Sequence, residues 1–177
     1  MPIATDEIKI EPVDHEKFPV VGFDCKDSDL NEFLAVDCLR YRDTHLAHTK
    51  IALHNGRVVG FIAISADAIT LIEAEWGWLR KKDIPIRQIP ALKVGRLAVD
   101  HNFKGQDIGT ILMRYAVGVA FRMNKEPGVG CRYLTVDAYP DSVGFYTKLG
   151  FVKSQHKSNK NRRNVNMYYD IISGPKF

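Results

Sequence analysis

The stretch VGRLAVDHNFKGQDIG, residues 94–109, does most to decide the fold class of this chain. Its apolar first half predicts a buried strand over residues 92–99. A polar loop with glycines follows, and residues 110–123 show the apolar spacing of a helix. The first N–H groups of a helix lack intrahelical partners, and the helix dipole is positive there. This strand, loop and helix therefore predict a site where backbone groups hold an anion such as a diphosphate.

The glycine spacing separates this loop from two better-known phosphate-binding motifs. It does not match G-x-G-x-x-G, and Lys104 precedes the loop instead of ending it as in a Walker motif. A glycine in such a loop also serves helix capping and packing. The loop by itself is therefore a weak signal for a phosphate-bearing ligand.

The elements around this stretch predict an α/β (α+β) fold with a mixed sheet. Residues 7–13 alternate apolar and polar side chains, as in a strand, and a helix is expected from Asp27 to about Tyr41. Asn55-Gly56 predicts the turn of a hairpin that covers residues 49–72. Residues 79–90 contain two prolines and no apolar period, which predicts a connecting loop.

The C-terminal part predicts further strands and one short helix. Residues 133–138 are rich in β-forming side chains, and Pro140 opens a short helix that runs to Lys148. A strand pair is expected from residues 150–152 and 165–171, joined by a polar hairpin. Strands therefore alternate with helices, and the helices are expected to cover the sheet.

Length and composition restrict the class of protein. The 177 residues, 45% hydrophobic and 26% charged, correspond to a single domain over residues 1–177. Cys25, Cys38 and Cys131 are odd in number and widely spaced, which argues against a disulfide framework and against cysteine-ligated zinc. A reduced, cytoplasmic location is expected. No stretch is apolar enough to cross a bilayer, so a membrane is not an expected partner.

Three short segments of the chain match a known pattern: GRLAVD at Gly95–Asp100, KGQDIG at Lys104–Gly109 and FYTKLGF at Phe145–Phe151. Together they resemble the GNAT superfamily of acyl-CoA N-acetyltransferases. With residues 23–34 and 57–61, they are most similar to the branch that includes toxins acetylating aminoacyl-tRNA. The resemblance spans most of the chain. It implies a mixed, mostly antiparallel sheet of six to seven strands, with helices on both faces and a splay between strands 4 and 5 that holds acyl-CoA.

The resemblance also implies the reaction. An N-acetyltransferase moves an acetyl group from acetyl-CoA to a primary amine, by direct attack on the thioester through a tetrahedral intermediate and without a metal. The acceptor is a small molecule or a peptide, and the alternative is a toxin that acetylates aminoacyl-tRNA. A catalytically weak acyl-CoA-binding sensor is a further alternative. A homodimer is compatible with each of these.

Residues that bind acetyl-CoA follow from the resemblance position by position. The diphosphate is expected on Lys104, Gly105, Gln106, Asp107, Ile108, Gly109 and Thr110, and the thioester along Leu97, Ala98 and Val99. Two positions differ from the usual loop of the family, since Lys104 replaces an Arg or Gln and Asp107 stands where a glycine is common. Aspartate tolerates a left-handed backbone better than most residues, so the loop shape is expected to survive.

Tyr146 falls on the position of the family's general-acid tyrosine. A phenol with an ordinary pKa of about 10 is protonated at neutral pH and can donate to the thiolate of CoA. The alternative is that Tyr146 is a core aromatic between Phe145 and Phe151. The resemblance favours the acid role.

Weaker signals have ordinary structural explanations beside the functional ones. His45 and His48 are close in sequence, but no carboxylate or thiol completes a metal-binding pattern, so no metal is expected. His101 is expected to be a solvated loop residue, which leaves the general base unassigned. Trp76 and Trp78 are expected in an acceptor-side loop, where anchoring to the core is favoured over lining a cleft.

The mild excess of positive charge, +4 in all, is concentrated in two segments besides Lys104. Arg80, Lys81, Lys82 and Arg87 lie in the first, and the hairpin of residues 153–163 carries five Lys or Arg and no acid. Most charge runs are solvated surfaces. The hairpin can also contact the 3′-phosphate of CoA or the backbone of a tRNA.

Overall fold

The computed structural model describes residues 3–159 and 162–177. Its strands are β1 (Ile8–Pro12), β2 (His48–His54), β3 (Arg57–Thr70), β4 (Gln88–Val99), β5 (Tyr133–Ala138), β6 (Val152–Lys153) and β7 (Val165–Asp170). Its helices are α1 (Ser28–Glu32), α2 (Cys38–Asp43), α3 (Glu73–Arg80), α4 (Ile108–Lys125) and α5 (Val143–Lys148). A π-helical turn at Phe33–Asp37 joins α1 to α2.

Within these described residues, the strands form one seven-stranded sheet in the order β1-β2-β3-β4-β5-β7-β6. The pairs β1–β2, β2–β3, β5–β7 and β6–β7 are antiparallel, whereas β4 and β5 are parallel. A parallel pair needs a crossover, and α4 lies between these two strands in the chain. The mixed, mostly antiparallel fold predicted from the sequence is confirmed. The splay between strands 4 and 5 stays a prediction.

The chain divides into two compact units. The first contains the described residues up to Ser65 together with Val94–Ala116, and the second contains Ala66–Lys93 and Val117–Phe177. The single domain over residues 1–177 stays a prediction. In the first unit, Phe33, Leu34 and Cys38 lie in one buried cluster with strand residues that include Ile51 and Phe61.

Gly60 marks a close contact between β3 and α4 in the first unit. A Cβ atom at Gly60 would lie 3.0 Å from Ile108 Cγ2, 3.2 Å from Leu112 Cδ1 and 3.0 Å from the backbone oxygen of Ala98. Neighbouring residues of a strand point to opposite faces, and Phe61 belongs to the cluster under α1 and α2. The helices therefore cover both faces of β3, and the glycine lets the start of α4 approach the sheet.

We expect Gly60→Ala to lower the free energy of unfolding by about 1–3 kcal/mol, the usual cost of overpacking. The Ala98 carbonyl belongs to the backbone and cannot rotate away from the new methyl group. Urea denaturation measures the change. Gly118→Ala is the matched control, because its Cβ meets only Arg122 Nη1 at an ordinary 3.5 Å. Equal stability of Gly60→Ala and the wild type would contradict the proposed close packing.

The second unit has its own apolar cluster, formed by Ile69, Leu71, Leu79, Ile89, Ala91 and Tyr133. Arg132 and Asp170 make an ion pair of 2.6 Å beside it. The Arg132 guanidinium also lies 4.3 Å from the ring centre of Trp78, and the Trp78 indole donates to the Tyr133 hydroxyl at 3.3 Å. These contacts support the interpretation that Trp78 is an anchor to the core.

The prediction of a loop over residues 79–90 is partly wrong. Helix α3 covers Glu73–Arg80, so Trp76 and Trp78 lie in a helix and not in a loop, and β4 begins at Gln88. The Glu75 carboxylate accepts a hydrogen bond from the Ile72 N–H at 2.9 Å, which caps this short helix. Pro85 and Pro90 suggested a break over the whole segment, but Pro90 is exposed and its carbonyl accepts from the Arg132 N–H. The side chain of Trp76 lies outside the described structure.

The cysteines Cys25, Cys38 and Cys131 are free and buried. Burial raises the pKa of each thiol, and that of Cys38 reaches about 11. The thiols are therefore protonated and unreactive in the folded protein. Among the described helices, none combines the length and the apolar character that a membrane span requires.

Candidate active site

The end of β4 is fixed to β3 by the backbone. The Asp100 N–H donates to the Val59 carbonyl at 2.9 Å, directly after the three residues predicted to align the thioester. Ala98 is buried, whereas Leu97 and Val99 are half-buried. The predicted thioester contacts therefore lie on a strand end that is hydrogen-bonded to β3 in the first unit.

The loop after this strand has a left-handed backbone at two positions. Gly105 has φ of 77° and Asp107 has φ of 58°. Asp107 thus adopts the conformation for which glycine is usual, and its side chain is exposed. An aspartate therefore adopts the left-handed conformation at this position, and retention of the family's loop shape stays a prediction.

Helix α4 begins directly after Asp107. The Asp107 carbonyl accepts from the Ile111 N–H at 2.9 Å, which is the first hydrogen bond of the helix. The N–H groups of Ile108, Gly109 and Thr110 precede that bond, so they are available to a ligand at the positive end of the helix dipole. Gly109 adds no side chain at this turn, and Lys104 supplies an exposed cation beside it. This local arrangement fits the diphosphate of acetyl-CoA.

Asp100 is a residue whose importance sequence reasoning missed. Its side chain is fully buried, and one carboxylate oxygen accepts from the Asn102 backbone N–H at 2.9 Å and from the Asn102 amide at 3.1 Å. The other oxygen accepts from Arg57 Nη2 at 3.2 Å and from the Asp24 N–H at 3.3 Å.

Burial opposes the ionisation of Asp100, but these hydrogen bonds lower the pKa of its carboxyl below the ordinary value. The buried carboxylate therefore connects the segment before α1, strand β3 and the turn that leads into the Lys104–Asp107 loop. The position of Asp100 at the end of the GRLAVD segment could have marked it in the sequence. Its partners Asp24 and Arg57 could not be predicted, because they are 76 and 43 residues away in the chain.

His101 is not the solvated loop residue expected from the sequence. It opens a 3-10 turn, His101–Phe103, and its backbone N–H donates to the Asp24 carbonyl at 2.8 Å. Its ring Nδ1 also lies 2.8 Å from the same carbonyl oxygen. His101 therefore helps to join the segment before α1 to the end of β4.

Tyr146 lies in α5 of the second unit and is 7% exposed. Its ring centroid lies 5.1 Å from that of Phe145 and 5.5 Å from that of Phe151, in edge-on geometry. Burial raises the pKa of Tyr146 well above its usual range, so the phenol carries its proton at neutral pH. The aromatic packing positions the ring, and the protonated hydroxyl is able to act as a proton donor. The two readings of Tyr146 are therefore compatible.

The other candidates from the sequence are a pair of histidines and two basic segments. The rings of His45 and His48 are 6.5 Å apart. In residues 3–159 and 162–177, no group of three or more His, Cys, Asp or Glu side chains could hold a metal ion. Lys81, Lys82 and Arg87 are exposed, as are Lys153, Lys157, Arg162 and Arg163 of the basic hairpin. Lys160 lies outside the described residues.

Comparison with known proteins identifies the family. The model of the acetyltransferase (GNAT) family matches residues 10–151. A tRNA-acetylating toxin of Mycobacterium tuberculosis is 26% identical over 133 residues, which cover 75% of this chain and 77% of the relative.

Two solved structures share the fold. A tyrosine-to-phenylalanine mutant of KacT aligns with a TM-score of 0.79 at 23% identity, over 93% of this chain and 95% of that chain. AtaT in complex with acetyl-methionyl-tRNAfMet aligns with a TM-score of 0.76 at 24% identity, over 92% and 94%. The family match covers most of the chain and includes the strand, loop and helix described above. The chain therefore belongs to the acetyltransferase (GNAT) family and is an acetyltransferase that uses acetyl-CoA.

Proposed function

We propose that this protein transfers the acetyl group of acetyl-CoA to the α-amine of an aminoacyl-tRNA and so acts as a toxin. The single observation that best supports acetyl-CoA as the cosubstrate is the loop before α4, in which Gly105 and Asp107 both have positive φ. The substrate class is supported by the relative named as a tRNA-acetylating toxin and by the likeness to AtaT, which was solved with acetyl-methionyl-tRNAfMet. These relatives favour aminoacyl-tRNA over a general amine acceptor.

In this proposal acetyl-CoA binds along β4 and the start of α4. The diphosphate accepts hydrogen bonds from the N–H groups of the Gly105–Thr110 segment, and Lys104 adds a positive charge. Backbone groups of Leu97, Ala98 and Val99 align the thioester, and an N–H there faces the oxygen that becomes negative. The exposed Asp107 carboxylate points away from the diphosphate.

The reaction then needs one nucleophile and one proton donor. The neutral amine attacks the thioester carbonyl, and a C–N bond forms while the oxygen takes up the negative charge. When the tetrahedral intermediate collapses, the C–S bond breaks and the thiolate of CoA leaves. The Tyr146 hydroxyl donates its proton to this thiolate. The nitrogen loses one proton to solvent water as it becomes an amide, and the Tyr146 phenolate takes up a proton from water before the next cycle.

The basic hairpin is suited to the RNA part of the substrate. Lys153, Lys157, Arg162 and Arg163 are all exposed, and the printed sequence has no acid between residues 153 and 163. Contacts of this kind neutralise phosphates without reading sequence, and they weaken as salt releases counterions. Binding of tRNA should therefore fall steeply with ionic strength.

Transfer of radiolabelled acetyl groups tests the proposal. The purified protein is incubated with labelled acetyl-CoA and with charged total tRNA, uncharged total tRNA or a panel of small primary amines. We expect label in charged tRNA alone. Labelling of the small amines, with no label in charged tRNA, would indicate a general amine acetyltransferase and not a toxin. Tight binding of acetyl-CoA without release of thiol to any acceptor would identify a sensor.

A further inference from the structure

A polar cavity of about 220 Å³ lies within the second unit, against β3, β4, β5 and β7. Charged and hydrogen-bonding side chains line it, among them Asp67, Lys93, Thr135, Asp137, Arg162 and Asn166. Most of its lining residues are polar or charged, so burial of apolar groups contributes little to binding there. Sites for drug-sized ligands measure about 300–1,000 Å³, so this cavity suits a smaller, hydrogen-bonding group.

The two carboxylates of the cavity differ in their partners. Both oxygens of Asp137 are occupied, since Lys93 Nζ lies 2.6 Å from one and the Asn166 amide donates to the other at 3.0 Å. Burial raises the pKa of Asp137, but the bonds from Asn166 and Lys93 outweigh it and hold the pKa below its ordinary value. Lys93 therefore neutralises the charge of Asp137, whose side chain forms part of the cavity wall.

In the described part of the chain, the Asp67 carboxylate accepts hydrogen bonds from two neutral donors. The Thr135 hydroxyl donates to Oδ2 at 2.5 Å, and the Ala68 N–H donates to Oδ1 at 2.9 Å. Thr135 is 1% exposed, so this hydroxyl is fixed by the sheet and holds the carboxylate in place. A carboxylate has about four lone-pair sites, which leaves acceptor capacity for a further N–H donor such as an amine.

We propose that this cavity binds the aminoacyl head of the acceptor, with the Asp67 carboxylate accepting a hydrogen bond from the α-amino group, which reacts as the neutral amine. The proposal rests on the proposed function and deepens it by assigning the acceptor site. The Arg162 side chain and the Asn166 amide supply donors for the ester oxygens beside the amine. The volume admits the aminoacyl group but not the attached nucleotide, which contacts the exposed surface.

The assignment uses residues close in sequence to the proposed acid. Thr135 and Asp137 stand on β5, the strand that leads into α5 and Tyr146, and all of them belong to the second unit. Sequence reasoning left the acceptor side of the reaction unassigned, because Asp67 and Thr135 are 68 residues apart. Asp67 is a positioning residue for the acceptor, and Thr135 positions Asp67.

Steady-state kinetics with charged tRNA test the assignment. Asp67→Asn keeps an oxygen that accepts from Thr135 but removes the charge. We expect KM for charged tRNA to rise roughly ten- to hundredfold, as the loss of one charged hydrogen bond predicts. The Kd of acetyl-CoA should not change. Asp83→Asn is the matched control, since it removes the same charge from an exposed position of the same unit, and asparagine tolerates its φ of 52°.

A KM for Asp67→Asn within twofold of the wild type, with transfer to charged tRNA intact, would overturn the cavity assignment and leave the proposed function standing. If the wild type labels no charged tRNA, the proposed function fails, and the cavity is tested by itself with amino-acid amides. NMR titration should then show binding of the amides to the wild type, weaker binding to Asp67→Asn and none of N-acetylated amides. Equal binding to both proteins, or no binding to the wild type, overturns the assignment in that case.

Discussion

Replacement of Tyr146 by phenylalanine should lower kcat for acetyl transfer by about 10²- to 10⁴-fold, the usual contribution of one general acid. The ring keeps its contacts with Phe145 and Phe151, and burial is the one cause behind the raised pKa of the phenol. Removal of the hydroxyl therefore leaves the packing intact. The Kd of acetyl-CoA and the free energy of unfolding should change little.

Calorimetry with acetyl-CoA, urea denaturation and the transfer assay together measure these three quantities for Tyr146→Phe. Tyr41→Phe serves as the matched control, because it removes a phenol from a half-buried ring that packs edge-on against Phe33 in the first unit. Expression of the wild type is expected to arrest growth, and Tyr146→Phe to relieve the arrest. Full turnover in the variant would show that another group protonates the thiolate.

The second large effect is expected at Asp100. Asp100→Asn places a fully buried amide N–H2 group against the donors of Arg57, Asp24 and Asn102, so this buried group faces donors where it needs an acceptor. Each unsatisfied buried donor costs about 1–3 kcal/mol. The free energy of unfolding should fall by at least this amount. The affinity for acetyl-CoA should fall as well, because the Asp100 turn leads into the diphosphate loop.

The effect of Asp100 depends on pH in a defined direction. The pKa of its carboxyl is lowered by folding from an ordinary 3.8, so the stabilisation is complete above that value and is lost as pH falls through the folded pKa. The difference in stability between the wild type and Asp100→Asn should therefore shrink below about pH 4. Urea denaturation at several pH values measures it, with the exposed Asp43→Asn as control. A difference that stays constant down to pH 2 would refute this explanation.

Much of the fold could be predicted from the sequence, because local signals decide it. Asn55 and Gly56 both have positive φ in the turn between β2 and β3, as the Asn-Gly pair predicts. Strand β5 covers Tyr133–Ala138 as expected, and α4 begins at Ile108, within the Lys104–Gly109 segment that the resemblance singled out and two residues before the predicted start. The short helix α3 was missed, since two tryptophans and Gly77 are weak helix formers and its stability comes from burial of Leu79.

The sequence by itself determined the family, the strand, loop and helix that suit acetyl-CoA, and the position of Tyr146. Each of these depends on residues within about one element of the chain, where spacing and backbone preference carry the information. The tertiary structure alone decided which distant side chains meet. Arg57 reaches Asp100 across 43 residues, and Thr135 reaches Asp67 across 68. Pairing of strands brings such residues together, and a single sequence holds no local signal for that pairing.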